Sequence, residues 1–88
     1  MNAYKVSVEP ASADARQRLE FEFTCHEDLA ELVAKVSDKG LFDGDENTAF
    51  VVGLKLFSGV LLKHRGEPLF ADFAPHFGAL MKKLKAQE

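Results

Sequence analysis

Tyr4-Lys5-Val6-Ser7-Val8-Glu9 and, after a gap, Arg18-Leu19-Glu20-Phe21-Glu22-Phe23 each alternate polar with apolar side chains. Successive side chains on an extended strand point to opposite faces, so both stretches read as half-buried strands. In an antiparallel pair the numbers of opposed residues share a constant sum. A sum of 27 sets Tyr4 against Phe23, Val6 against Phe21 and Val8 against Leu19 on one face. The other face then pairs Lys5 with Glu22, Ser7 with Glu20 and Glu9 with Arg18. Two of those three pairs are opposite charges, which favours this register. A slide to 25 sets Glu9 and Lys5 against Arg16 and Glu20, which is tolerable and stays open. All six apolar side chains, Tyr4, Val6, Val8, Leu19, Phe21 and Phe23, are expected to look inward. Between the strands, residues 10–17 are small, polar and aperiodic, which predicts a mobile hairpin loop with little binding capacity.

Downstream the period changes from two to 3.6. Thr24 and Glu27 fit a capping box that starts a first helix, with Leu29, Leu32, Val33 and Val36 as its buried stripe and Gly40 as a left-handed stop. Leu41 and Phe42 are expected to plug the core before the acidic turn Asp43-Gly44-Asp45, where either aspartate can cap a second helix running roughly from Glu46 to His64. Between Ala49 and Leu62 only Lys55 and Ser58 interrupt the apolar surface, so that helix needs more than one neighbour. It is read as a central helix, or as one turned partly toward another subunit. Gly53 and Gly59 each cost it about 1 kcal/mol against alanine, which predicts close approach of a neighbouring element as compensation. Gly66 and Pro68 end it, Leu69-Phe70-Ala71 reads as a short apolar bridge, and Asp72 is a candidate cap for a last helix. Pro75 fits only within that helix's first turn, and Phe73, Phe77, Leu80, Met81 and Leu84 form its stripe.

This order of elements predicts an α+β fold, an antiparallel two-stranded hairpin followed by three helices, in a single domain spanning residues 1–88. An 88-residue chain has room for one core only, and buries about 60% of its unfolded surface, so oligomerisation would add needed burial. A lone cysteine, Cys25, cannot form an intrachain disulfide, and the opening residues lack the continuous apolar run of a signal peptide. Both point to the cytoplasm. The apolar run from Ala49 to Leu62 falls short of the ~20 residues that cross a bilayer. Residues 1–60 hold six Lys/Arg against eleven Asp/Glu, and residues 61–88 hold five against three. An acidic chain of formal net charge −3 repels phosphate backbones, so no nucleic acid and no membrane is expected as partner.

Each candidate for chemistry has a plainer explanation beside it. Asp43-Gly44-Asp45 has the alternation of a calcium loop, yet Thr48 and Leu54 stand where such a loop needs glycine and a bidentate glutamate. Cys25 and His26 fall at the predicted start of the first helix, where a dipole can activate a thiol, but Glu27 and Asp28 oppose a thiolate. His26, His64 and His76 lie on three predicted elements and, with Cys25, lack the close ligand pairs of zinc sites. Lys63-His64-Arg65 and Lys82-Lys83-Leu84-Lys85 end helices, where positive charge complements the dipole. Eight phenylalanines serve as core filling, with a small lipophilic pocket as the alternative. No catalytic, cofactor-binding or metal residue is assigned, and no cofactor.

The strand Tyr4 to Pro10, the Phe21-Glu22-Phe23-Thr24 strand running into His26-Glu27-Asp28-Leu29, Phe42-Asp43-Gly44-Asp45-Glu46, Ala49 to Phe57 and Pro68-Leu69-Phe70 resemble a family of short bacterial proteins known only as a domain of unknown function. The likeness covers nearly the whole chain, and the acidic turn and Gly53-Leu54-Lys55-Leu56-Phe57 are its most specific parts. It implies a bacterial cytoplasmic protein and carries no activity, cofactor or site residue with it.

The leading expectation is a non-enzymatic protein-interaction module that self-associates as a homodimer, with a further protein partner left open. A two-stranded hairpin is marginal alone and exposes two edges. Pairing the Tyr4 to Pro10 strand, or the Arg18 to Thr24 strand, with its counterpart would give a four-stranded sheet across the dimer; joining through the helices is the other route. The alternative is a small-ligand-binding or enzyme-like protein with a pocket between the hairpin and the C-terminal helix, using Cys25, His26 or His76.

Overall fold

The computed structural model describes residues 1–11 and 18–86. Most of the loop expected to be mobile, residues 12–17, lies outside the described residues. Two strands, β1 (Asn2–Val8) and β2 (Leu19–Cys25), pair antiparallel, with Tyr4 opposite Phe23, Val6 opposite Phe21 and Val8 opposite Leu19. The register is the sum of 27. Lys5 stands opposite Glu22, but its ammonium reaches diagonally to Glu20 at 2.9 Å, and Arg18 holds the other oxygen of that carboxylate, also at 2.9 Å. Long side chains span the diagonal between pleats, so a register predicts opposed backbones better than it predicts ion pairs.

Four helical segments follow: α1 (Leu29–Ser37), α2 (Gly44–Lys63), the single turn α3 (Pro68–Ala71) and α4 (Ala74–Ala86). The expected Thr24–Glu27 capping box does not form, because β2 runs on through Thr24 and Cys25, opposite Ala3 and Asn2. A single side-chain cap forms four residues later instead. Asp28 is the N-cap, its Oδ1 accepting the N–H of Glu31 at 3.2 Å. Gly40 closes the region beyond α1 at φ +73°, a conformation that costs residues with a Cβ.

Asp43 precedes α2 in an extended conformation; its carbonyl, not its carboxylate, accepts from Glu46 and Asn47 at 3.1 and 3.4 Å. Asp45 lies inside the first turn, so neither aspartate side chain caps α2 as expected. The apolar bridge is a helical turn. Pro68 supplies its first residue, where a missing N–H costs nothing, and Asp72 ends that turn instead of capping α4. Pro75 sits second in α4, as its fixed φ demands.

Among the described residues, the buried apolar side chains are Val36 from α1, Val51 and Leu61 from α2, and Phe77 from α4. Asn47 is buried with them at 2% exposure, and its Nδ2 donates to the carbonyl of Val33 at 3.0 Å, fastening α2 to α1. Tyr4 does the equivalent for the hairpin. Its hydroxyl donates to the carbonyl of Glu27 and accepts the N–H of Leu29, each at 3.0 Å, while its ring stacks on Phe23 with centroids 5.6 Å apart.

Two expectations about packing fail. Tyr4, Val6 and Phe23 are half-buried, but Val8, Leu19 and Phe21 are exposed, Leu19 at 64%, so the helical stripes do not close over the whole hairpin face. The reason is placement: Tyr4 anchors the base of the hairpin at the entry to α1, and the half nearer the turn extends past the helices. Gly53 and Gly59 give the second failure. A Cβ at either would meet nothing within 4 Å, so no neighbour compensates their helix cost.

Candidate functional site

The side chains left uncovered on the hairpin face a similarly uncovered stretch of α2. Phe21 and Phe23 of β2 and Leu56, Phe57 and Val60 of α2 line an open groove of about 750 Å³, with Gly59 and Lys63 at its border. Its walls arise from two different periods. Phe21 and Phe23 share a sheet face because they are two apart, and Leu56, Phe57 and Val60 share a helix face at spacings of one and three to four. Val60 remains 51% exposed. Phe57 is tethered from behind by edge-on contacts to Phe70, Phe73 and Phe77 at centroid distances of 6.1, 5.9 and 6.1 Å. Those contacts fix the ring while leaving part of it in the groove. No sequence signal marked this groove beyond the all-round apolarity of Ala49 to Leu62.

The residues singled out for chemistry do not assemble. Cys25 ends β2, not a helix, and its thiol donates to the carbonyl of Glu27 at 3.2 Å. His26 borders a shallow polar depression with Glu27, Asp28 and Glu31, whereas His64 follows the last residue of α2 and His76 lies in α4. One cavity lined by the hairpin and two lined by the C-terminal helix are separate, and Cys25 and His76 line none of the three. Among the described residues, no three His, Cys, Asp or Glu side chains gather where they could hold a metal ion. Lys63 lies in the last turn of α2, and Lys83 and Lys85 in that of α4, the ends where positive charge suits the dipole. Among the described residues, no helix is long and apolar enough to cross a membrane.

The sequence profile of a domain of unknown function with a solved structure, DUF3861, matches residues 2–86. The chain belongs to the DUF3861 family. The family's hairpin-and-helices architecture recurs in a crystal structure, at 2.20 Å resolution, of a protein of unknown function from Pectobacterium atrosepticum SCRI1043. That protein is 42% identical, 98% of each chain is covered, and the TM-score is 0.89. Among curated proteins, none matches. Membership of DUF3861 thus brings a fold and a bacterial relative, and leaves the groove to be interpreted by its own chemistry.

Proposed function

We propose that the chain is a non-enzymatic interaction module of the bacterial cytoplasm that works as a homodimer, joined through the groove between the hairpin and α2. The observation that carries this is uncovered apolar area. Phe21 on the hairpin and Phe57 and Val60 on α2 are exposed along one groove, and the opposed pair Val8 and Leu19, also exposed, continues the Phe21 face of the hairpin. The chain exposes 6779 Å², whereas a folded monomer of 9.7 kDa exposes about 5,100 Å². Its radius of gyration is 14.9 Å, against about 12 Å for a compact domain of this length.

A two-fold axis makes one patch serve both subunits: Leu19 and Phe21 of each hairpin enter the groove beside Phe57 and Val60 of the other. Strand pairing through β2 is disfavoured by charge. Centred on Phe21, it sets Glu20 of one copy opposite Glu22 of the next. Pairing along β1 carries no such repulsion and is the other arrangement to test.

Light scattering at tens of micromolar protein is expected to give twice 9.7 kDa. Phe21→Lys and Val60→Asp are each expected to halve that mass while leaving far-UV circular dichroism unchanged. A wild-type mass of one chain rejects the dimer. A two-chain mass retained by both variants moves the contact to the β1 edge and rejects the groove.

A further inference from the structure

A second cavity, of about 410 Å³, lies among α1, α2 and α4, away from the hairpin. Its inner wall is apolar: Val36 and Val51 are fully buried, and Leu32, Leu54, Met81 and Leu84 are half-buried around them. Its mouth is ringed by Lys35, Lys39, Lys55 and Lys85, which come from α1, the turn after α1, α2 and α4. The carboxylate in the lining is Glu27, paired with Lys55 at 2.8 Å. Glu31, outside the lining, reaches Lys35 at 3.5 Å. Four lysines from three helices and a turn thus gather at one mouth in a chain whose formal net charge is −3, two of them, Lys35 and Lys55, with a carboxylate beside them. Lys55 is the single charge in the middle of α2, its side chain is 19% exposed, and its ammonium meets Glu27, which also lines the cavity.

From this juxtaposition we propose that the cavity binds a free single-chain amphiphile with an anionic carboxylate head. The alkyl chain covers Val36, Val51, Leu54 and Met81, and the head lies among the ammonium groups, which bind oxyanions as point charges. A cavity at the low end of the about 300–1,000 Å³ range of small-ligand sites takes one chain and not the two chains of a bilayer lipid. The site shares no residue with the dimer groove, so it stands or falls independently of that contact.

Isothermal titration of the full chain with decanoate tests it. Decanoate is expected to bind saturably, with decanol and acetate each at least tenfold weaker, because each keeps only one of the two contributions. Lys35→Glu combined with Lys85→Glu is expected to weaken decanoate at least tenfold; because a charge reversal can also disturb packing, amide shifts of the wild-type chain supply a second measure. Decanoate is expected to move the amides of Val36, Val51, Leu54 and Met81. The melting temperature is expected to rise with decanoate, since a ligand of the folded state stabilises it by mass action. Equal affinity for decanol and decanoate overturns the proposal, as do amide shifts confined to the hairpin groove. Co-sedimentation with phosphatidylglycerol vesicles in the absence of decanoate binding assigns the lysines to a membrane surface and rejects the site. Dissociation of a two-chain species by decanoate would put a second copy in the cavity, with the same result.

Discussion

The meeting of α1 with α2 and the half of the hairpin nearer its turn are equally rich in apolar side chains, yet one is closed and the other open. Around Val36, Asn47 and Val51, each helix presents a stripe to the other, and a side-chain amide to backbone carbonyl bond fixes their relative position. Around Val8, Leu19 and Phe21 the strands pair in register, but α2 comes alongside only at Phe21 and leaves all three exposed. Correct local pattern thus does not guarantee burial: burial needs a second element whose own anchoring brings it there. Here Tyr4 anchors the hairpin at its base, while Val8 and Leu19 toward its turn stay exposed.

The sharpest way to break this contrast is to truncate leucines on both sides of it. Leu61→Ala is expected to cost about 2–5 kcal/mol in urea unfolding, because Leu61 is fully buried and leaves a cavity. Leu19→Ala, measured in a monomeric background such as Phe21→Lys, is expected to stay within about 0.5 kcal/mol. Similar costs at the two sites would mean that the hairpin is covered within one chain. Tyr4→Phe comes next. It removes one hydroxyl that both donates to Glu27 and accepts from Leu29, and about 1–2 kcal/mol of stability should go with it. A near-zero effect would place the anchor of the hairpin elsewhere.

Smaller effects refine the picture. Gly53→Ala is expected to stabilise by about 0.5–1 kcal/mol, since the added Cβ meets open space in mid-helix. Gly59→Ala borders the groove, so the same helical gain should be accompanied by a weaker dimer; a gain in both would argue that no second chain approaches there. The smallest change expected is from Glu20→Gln. It breaks ion pairs to both Lys5 and Arg18, but these side chains are solvent-accessible, so the loss should be below about 1 kcal/mol and should shrink with added salt.

Much of the fold was legible residue by residue. The left-handed Gly40 and the position of Pro75 each follow from a local rule with one satisfactory solution, and the sum of 27 was the favoured of two tolerable registers. The start of α1 was not legible in the same way, because Thr24–Glu27 and Asp28–Glu31 are both sound capping pairs. Ladder bonds extending β2 to Cys25 chose between them. Candidate sites were harder. Lys55 meets Glu27, 28 positions earlier, and Asn47 meets Val33 through contacts that no periodicity announces.

By itself the sequence determined which residues could share a face: alternation fixed the two faces of each strand, and 3.6-residue spacing fixed the stripes of the helices. Only the tertiary structure decided which faces meet. Leu19 and Val51 are both apolar residues on well-patterned elements, and one is in water while the other is sealed. The physical reason is that burial is a property of a pair of surfaces, and the second surface is set by anchors such as Tyr4 and Asn47, whose partners lie 14 to 25 residues away along the chain.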